Sequence, residues 1–96
     1  MTTYMIQYEM FKKRDSAPLK QRIEKLGIEA KITPMSHLWL IRSQLDSSEI
    51  RDQLLPFIDA KDKLFVVRVD TDDWASWNLN DKEVSWLNQH ISVSES

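Results

Sequence analysis

Thr3-Tyr4-Met5-Ile6-Gln7-Tyr8-Glu9 decides the fold. The segment is rich in β-branched and aromatic residues, and its alternation puts Tyr4, Ile6 and Tyr8 on one face of a strand and Met5, Gln7 and Glu9 on the other. The second face is the polar one, and the strand ends on a carboxylate that passes into the basic run Lys12, Lys13 and Arg14. Beyond that run, Asp15 or Ser16 can accept the free amides of a helix start, and Pro18 suits an opening turn that needs no backbone donor. Leu19, Ile23 and Leu26 recur at helical spacing as one apolar stripe, with Gln21, Glu24 and Lys25 turned to water. Gly27, the only glycine of the chain, is expected in the left-handed position after the last turn.

Further along, Ile28 to Thr33 and Leu38 to Arg42 read as two strands joined by a turn through Pro34, Met35, Ser36 and His37. Asp46 followed by Glu49 has the form of a reciprocal helix cap, after which Ile50, Leu54 and Phe57 or Ile58 continue an apolar stripe. Pro56 should shorten or kink the last turn of that helix. The segment from Leu64 to Val69 is apolar at five of six positions, which marks a further strand. Two strand-helix-strand halves of this kind predict an α+β fold: a ferredoxin-like βαββαβ sandwich, with the first and third strands in the middle of an antiparallel sheet and both helices on one face. Alternation is expected to turn Trp39, Ile41, Phe65 and Val67 towards the helices, and Leu38, Leu40, Leu64 and Val66 away from them. Both faces are then partly apolar. At about 25 cal/mol per Å², leaving the second face in water would forfeit several kcal/mol, so a cover is expected. Either the tail supplies it, through Trp74, Trp77, Leu79 and a short helix capped by Asn80 and Glu83 that packs Val84, Leu87 and Ile91, or a second copy of the chain does. Residues 1–91 read as one domain with this tryptophan-containing extension, and 92–96 as a frayed tail.

Composition narrows the function classes. The chain of 96 residues is 42% hydrophobic and 29% charged, as expected for one small soluble domain. It offers no stretch of about 20 apolar residues and no secretory pattern at its start, so the expected location is the cytoplasm, with no membrane partner. The absence of cysteine excludes disulfides, thiolate nucleophiles and cysteine-ligated metals. The net charge of −2 hides an asymmetry: residues 1–31 hold seven basic and four acidic side chains, net +3, and the remainder is net −5. A protein held to nucleic acid mainly through phosphates usually shows a larger excess, which argues against tight nonspecific binding by a single copy.

The order of elements, the Tyr8-Glu9 strand end and the stretch from Asp46 through Val69 resemble the small CRISPR-associated integration and nuclease subunits and their stand-alone relatives, among them virulence-associated protein D. The likeness covers about residues 3–70. It implies a homodimer paired through its sheets, with facing acidic residues proposed to hold a divalent metal for phosphodiester cleavage. In that family the first strand typically ends Tyr-Asp. Here Tyr8 matches the tyrosine, and Glu9 stands where the aspartate would be, one methylene longer. Several members bind DNA as adaptors without cleaving it, so membership does not establish an enzyme.

Glu9 is therefore the one residue nominated for chemistry, as a ligand for Mg2+ or Mn2+ whose second carboxylate would come from a two-fold copy. The residues themselves favour a plainer role, an ion pair between Glu9 and Arg68, with Arg68 placed near the end of a neighbouring parallel strand. Lys12, Lys13 and Arg14, extended by Arg22 and Lys25 along the first helix, are the candidate nucleic-acid contacts; a solvated loop is the ordinary alternative. Asp70, Asp72 and Asp73 lack the glycine turn and distal glutamate of a calcium loop and read as a hydrated turn. Trp39, Trp74, Trp77 and Trp86 are expected in core or dimer packing, and His37 and His90 as ordinary turn and terminal residues. The expected function is nucleic-acid association by a homodimer, with metal-dependent cleavage as its enzymatic form. The alternative is a noncatalytic protein-interaction or regulatory module that uses the open sheet face.

Overall fold

A computed structural model describes residues 2–11, 15–27 and 30–90. The elements follow in the order β1 (Thr2–Glu9), α1 (Ala17–Leu26), β2 (Ala30–Met35), β3 (Leu38–Ser43), α2 (Ser47–Leu54), a 3-10 turn (Leu55–Phe57), β4 (Lys63–Arg68) and α3 (Asp81–His90). The four strands make one sheet in the order β2-β3-β1-β4. That order makes β1 and β3 central, as expected, and all three pairings are antiparallel.

Tyr4, Ile6 and Tyr8 of β1 are buried, and across the register they meet Ile41 and Trp39 on β3 and Val66 and Leu64 on β4. Leu19 and Ile23 of α1 and Ile50 and Leu54 of α2 complete this core from above. Ile6, Leu19, Ile23, Ile41, Ile50 and Leu54 are essentially sealed from solvent, each worth about 1.5–3 kcal/mol relative to exposure. The phase of β4 is opposite to the expectation: Leu64 and Val66 pack on the core, and Phe65 is 58% exposed on the second face. Directly opposed residues of an antiparallel pair share a face, so pairing Val66 with Ile6 and Phe65 with Gln7 fixes that phase.

The helix boundaries follow local chemistry. Asp15 Oδ1 accepts the Ala17 amide at 2.9 Å, and Pro18 lies in the first turn of α1. Asp46 and Glu49 exchange reciprocal bonds at the start of α2, Glu49 N to Asp46 Oδ1 at 2.8 Å and Asp46 N to Glu49 Oε1 at 3.0 Å. Asn80 and Glu83 repeat the arrangement for α3. Pro56 falls inside the 3-10 turn that terminates α2. Gly27 departs from expectation, with φ −91° and ψ 54° rather than a left-handed conformation. Its lack of a side chain is needed for space, because a Cβ there would lie 2.9 Å from Ile41 Cγ2 and 3.0 Å from Lys31 Cβ.

The β2–β3 connection is tighter than expected. Pro34 and Met35 belong to β2, leaving Ser36 and His37 as a two-residue turn with His37 at φ 62°. The expected first residues of the second strand, Ile28 and Glu29, lie outside the described residues. Leu87 of α3 is buried but stands apart from the helix-side core. That helix packs against β2, and His90 at its end shares a depression with Thr3, Arg42 and Val69. Thr3 pairs with Arg42 on the second face, so the tail covers part of that face. Of the tail residues expected to pack, Leu87 does so and Trp77 does not, being 92% exposed; Ile91 lies outside the described residues.

Candidate functional site

Glu9 is the last residue of β1 and lies opposite Lys63, the first residue of β4. Their charged atoms stand 4.0 Å apart, with both side chains at least three-quarters exposed. A pair so solvated adds little to stability. The expected partner, Arg68, is at the other end of the sheet opposite Tyr4, because β4 runs antiparallel to β1. The Glu9–Arg68 pair is therefore replaced by Glu9–Lys63.

Asp62 fixes this end of the sheet. Its Oδ1 accepts the Phe11 amide at 2.8 Å and its Oδ2 the Asp59 amide at 2.7 Å. One carboxylate thus ties the exit of β1 to the loop that enters β4. Lys61 Nζ sits 4.9 Å from the Phe11 ring centroid, a cation–π contact at an exposed site. Between β1, β4 and the β2–β3 turn lies a shallow depression of about 600 Å³ lined by Gln7, Glu9, Lys63, Phe65, Ser36 and His37, among others. The His37 ring lies against Tyr8 at 5.1 Å between centroids, and its carbonyl accepts the Tyr8 amide at 3.1 Å. Glu9, Lys63 and Phe65 therefore share one exposed patch whose backbone is held on both sides.

The remaining nominated residues are dispersed. Lys12, Lys13 and Arg14 lie outside the described residues. Arg22 is half-buried and donates from Nη2 to Gln53 Oε1, so it joins α1 to α2. Lys25 is exposed in the last turn of α1. Asp70 accepts the Asp72 amide at 2.8 Å, closing the turn after β4 on itself. Trp39 is core, Trp74 and Trp86 are half-buried, and Trp86 lies against His90 at 4.8 Å between ring centroids.

A magnesium or manganese site needs several oxygen donors converging on one point. Among the described residues no group of three or more His, Asp or Glu side chains is arranged to hold a metal ion, and the carboxylate of Glu9 faces a lysine. The described residues of one chain therefore do not bring such a donor set together, and no chemical step follows from them. Lys63, Lys61, Asp62 and Phe65 are the members of this patch that sequence reasoning passed over. Counting back from Val66 in antiparallel register with Ile6 brings Lys63 to Glu9. No protein-family model matches the chain, and no solved structure matches it significantly.

Proposed function

We propose that this chain is a ferredoxin-like association module that pairs with a second copy of itself through the Glu9 end of its exposed sheet face. The strand order β2-β3-β1-β4 with antiparallel neighbours supports the ferredoxin-like assignment. The observation that carries the function is the charge pattern of the patch: an acid and a base, each largely solvated, beside a phenylalanine that is 58% exposed. A two-fold interface must be self-complementary. Two such patches brought together can exchange partners, Glu9 of one copy with Lys63 of the other and the reverse, around a pair of Phe65 rings. Exchange replaces two weak solvated pairs with two pairs shielded by apolar contact, which favours specificity over raw affinity.

Sedimentation equilibrium with charge-reversal variants tests this reading. Lys63→Glu should dissociate the dimer, and the double variant Glu9→Lys with Lys63→Glu should restore it. A protein that sediments as a monomer at all concentrations, or a double variant no better than the single one, would remove the homodimer.

A second reading, nucleic-acid association, is favoured by Lys61 and Lys63 at the end of the sheet from which the sequence continues into Lys12, Lys13 and Arg14. Pairing would double that positive charge on one surface. Cleavage with Mg2+ or Mn2+ would further require Glu9 from both copies. Labelled single- and double-stranded DNA and RNA, mixed with the protein at low salt with and without magnesium, separate these cases. Absence of binding leaves the interaction module alone; magnesium-dependent cleavage lost in Glu9→Ala supports the nuclease.

A further inference from the structure

Tyr8 carries an unusual burden for a core residue. It is 3% exposed, and its hydroxyl is a buried polar atom without a hydrogen-bond partner among the described residues. An unsatisfied buried hydroxyl is costly and rare enough to need a reason. The residue also lines a cleft of about 410 Å³ on the helix side of the β2–β3 turn, together with Lys20, Thr33, Ser36, His37 and Trp39. Among the described residues its lining includes a lysine, a histidine and three hydroxyls, and no acidic residue. Two other depressions at the sheet ends each admit a carboxylate, Glu9 in one and Asp70 in the other.

The donors of this cleft are set by the fold. Thr33 spends its hydroxyl proton on the Leu38 and Met35 carbonyls at 2.8 and 3.0 Å, which leaves the hydroxyls of Tyr8 and Ser36 as donors. His37 is held at φ 62° with its ring on Tyr8 and its carbonyl bound to the Tyr8 amide. A non-glycine residue in this region persists where surrounding contacts over-determine it. Lys20 brings a positive charge from α1, one residue beyond the core side chain Leu19. A lysine supplies phosphate with a point charge, and neutral hydroxyl donors orient its oxygens.

We propose that this cleft binds a phosphate-sized oxyanion, with the Tyr8 hydroxyl as the buried donor and Lys20 as the counter-charge. The cleft adjoins the Glu9, Lys63 and Phe65 patch, sharing Tyr8, Ser36 and His37 with its depression, whereas Lys20, Thr33 and Trp39 line the cleft and not that depression; the proposal does not depend on the pairing proposed for the patch. Free phosphate and the phosphate of a mononucleotide share the same chemistry.

The test is a titration of the intact chain with inorganic phosphate at constant ionic strength, followed by amide and indole chemical shifts, with AMP as a parallel arm. Saturable shifts at Tyr8, His37, Lys20 and the Trp39 indole are expected, and Tyr8→Phe should weaken binding about 10- to 100-fold, the range for losing one hydrogen bond to a charged group. Lys20→Ala should weaken it as well. Without phosphate, Tyr8→Phe should melt at or above the temperature of the unaltered protein, because it deletes an unsatisfied group. Saturation by AMP at lower concentration than phosphate supports a nucleotide-borne anion, and equal saturation supports the free ion. Linear, non-saturating shifts, an unchanged affinity in Tyr8→Phe, or a phosphate-free Tyr8→Phe protein that is clearly destabilised would each overturn the proposal.

Discussion

Replacing Gly27 with alanine isolates a steric requirement from a conformational one. The backbone at this position, φ −91° and ψ 54°, is open to any L-residue, so no torsional penalty applies. The new methyl carbon would meet Ile41 Cγ2 at 2.9 Å, Lys31 Cβ at 3.0 Å and Ile41 Cβ at 3.1 Å. Two of these three atoms are Cβ carbons, which move only with their strands, and Ile41 is fully buried in the central strand β3. Overpacking of this kind costs about 1–3 kcal/mol. Alanine also narrows the unfolded ensemble, which returns about 0.4–1 kcal/mol. The net loss is therefore about 1–2 kcal/mol. For a domain of this size that corresponds to a melting temperature lower by roughly 5–15 °C, or a urea midpoint lower by about 0.3–2 M. Equilibrium urea unfolding followed by tryptophan fluorescence measures it directly. The companion Gly27→Asn separates the two explanations: a left-handed cap tolerates asparagine better than alanine, whereas a steric site finds the larger side chain at least as harmful. An alanine variant as stable as the parent, or an asparagine variant more stable than the alanine one, would refute the reasoning.

Three further outcomes follow from the same structure. Asp62→Ala removes two charge-assisted bonds to backbone amides and should cost about 1.5–3 kcal/mol, with faster amide exchange at Phe11 and Asp59 before global unfolding. Leu87→Ala should lose about 2–3 kcal/mol if α3 is docked as described, whereas an effect under about 0.5 kcal/mol would mean that the tail helix contributes no packing. Trp77→Ala, at a residue 92% exposed, should change the stability of the single chain by no more than about 0.5 kcal/mol; a larger loss that grows with protein concentration would show the ring to be buried by another chain.

How much of this was legible in the sequence depended on whether the deciding contact was local. The faces of β1 were readable because Gln7 and Glu9 break the apolar run on one side only. β4 offers no such break: Leu64 to Val67 are all apolar, so alternation has no phase until the register with Ile6 supplies one. The same distant pairing decides that Glu9 meets Lys63 and not Arg68. Both reciprocal helix caps were readable, since donor and acceptor lie three residues apart. Gly27 was misread because a single glycine after a helix has a common local explanation, whereas the demand on it comes from Ile41 in another strand. The Glu9 strand end was visible in advance and its surroundings were not, because the patch gathers residues from β1, β4 and a turn. The cleft beside Tyr8 is less visible still, as its lining comes from β1, α1, β2, the β2–β3 turn and β3.

The central place of β1 bears on how the chain is made. Tyr4 is synthesised long before Arg68, its neighbour in the sheet, and at ~5–20 residues per second the ribosome needs roughly 3–13 s to deliver the second after the first. During that interval Tyr4, Ile6 and Tyr8 have emerged without one of the two strands that flank them. Until β4 arrives, one edge of β1 lacks its partner, so the earliest-made of the four strands is the last to be flanked on both sides.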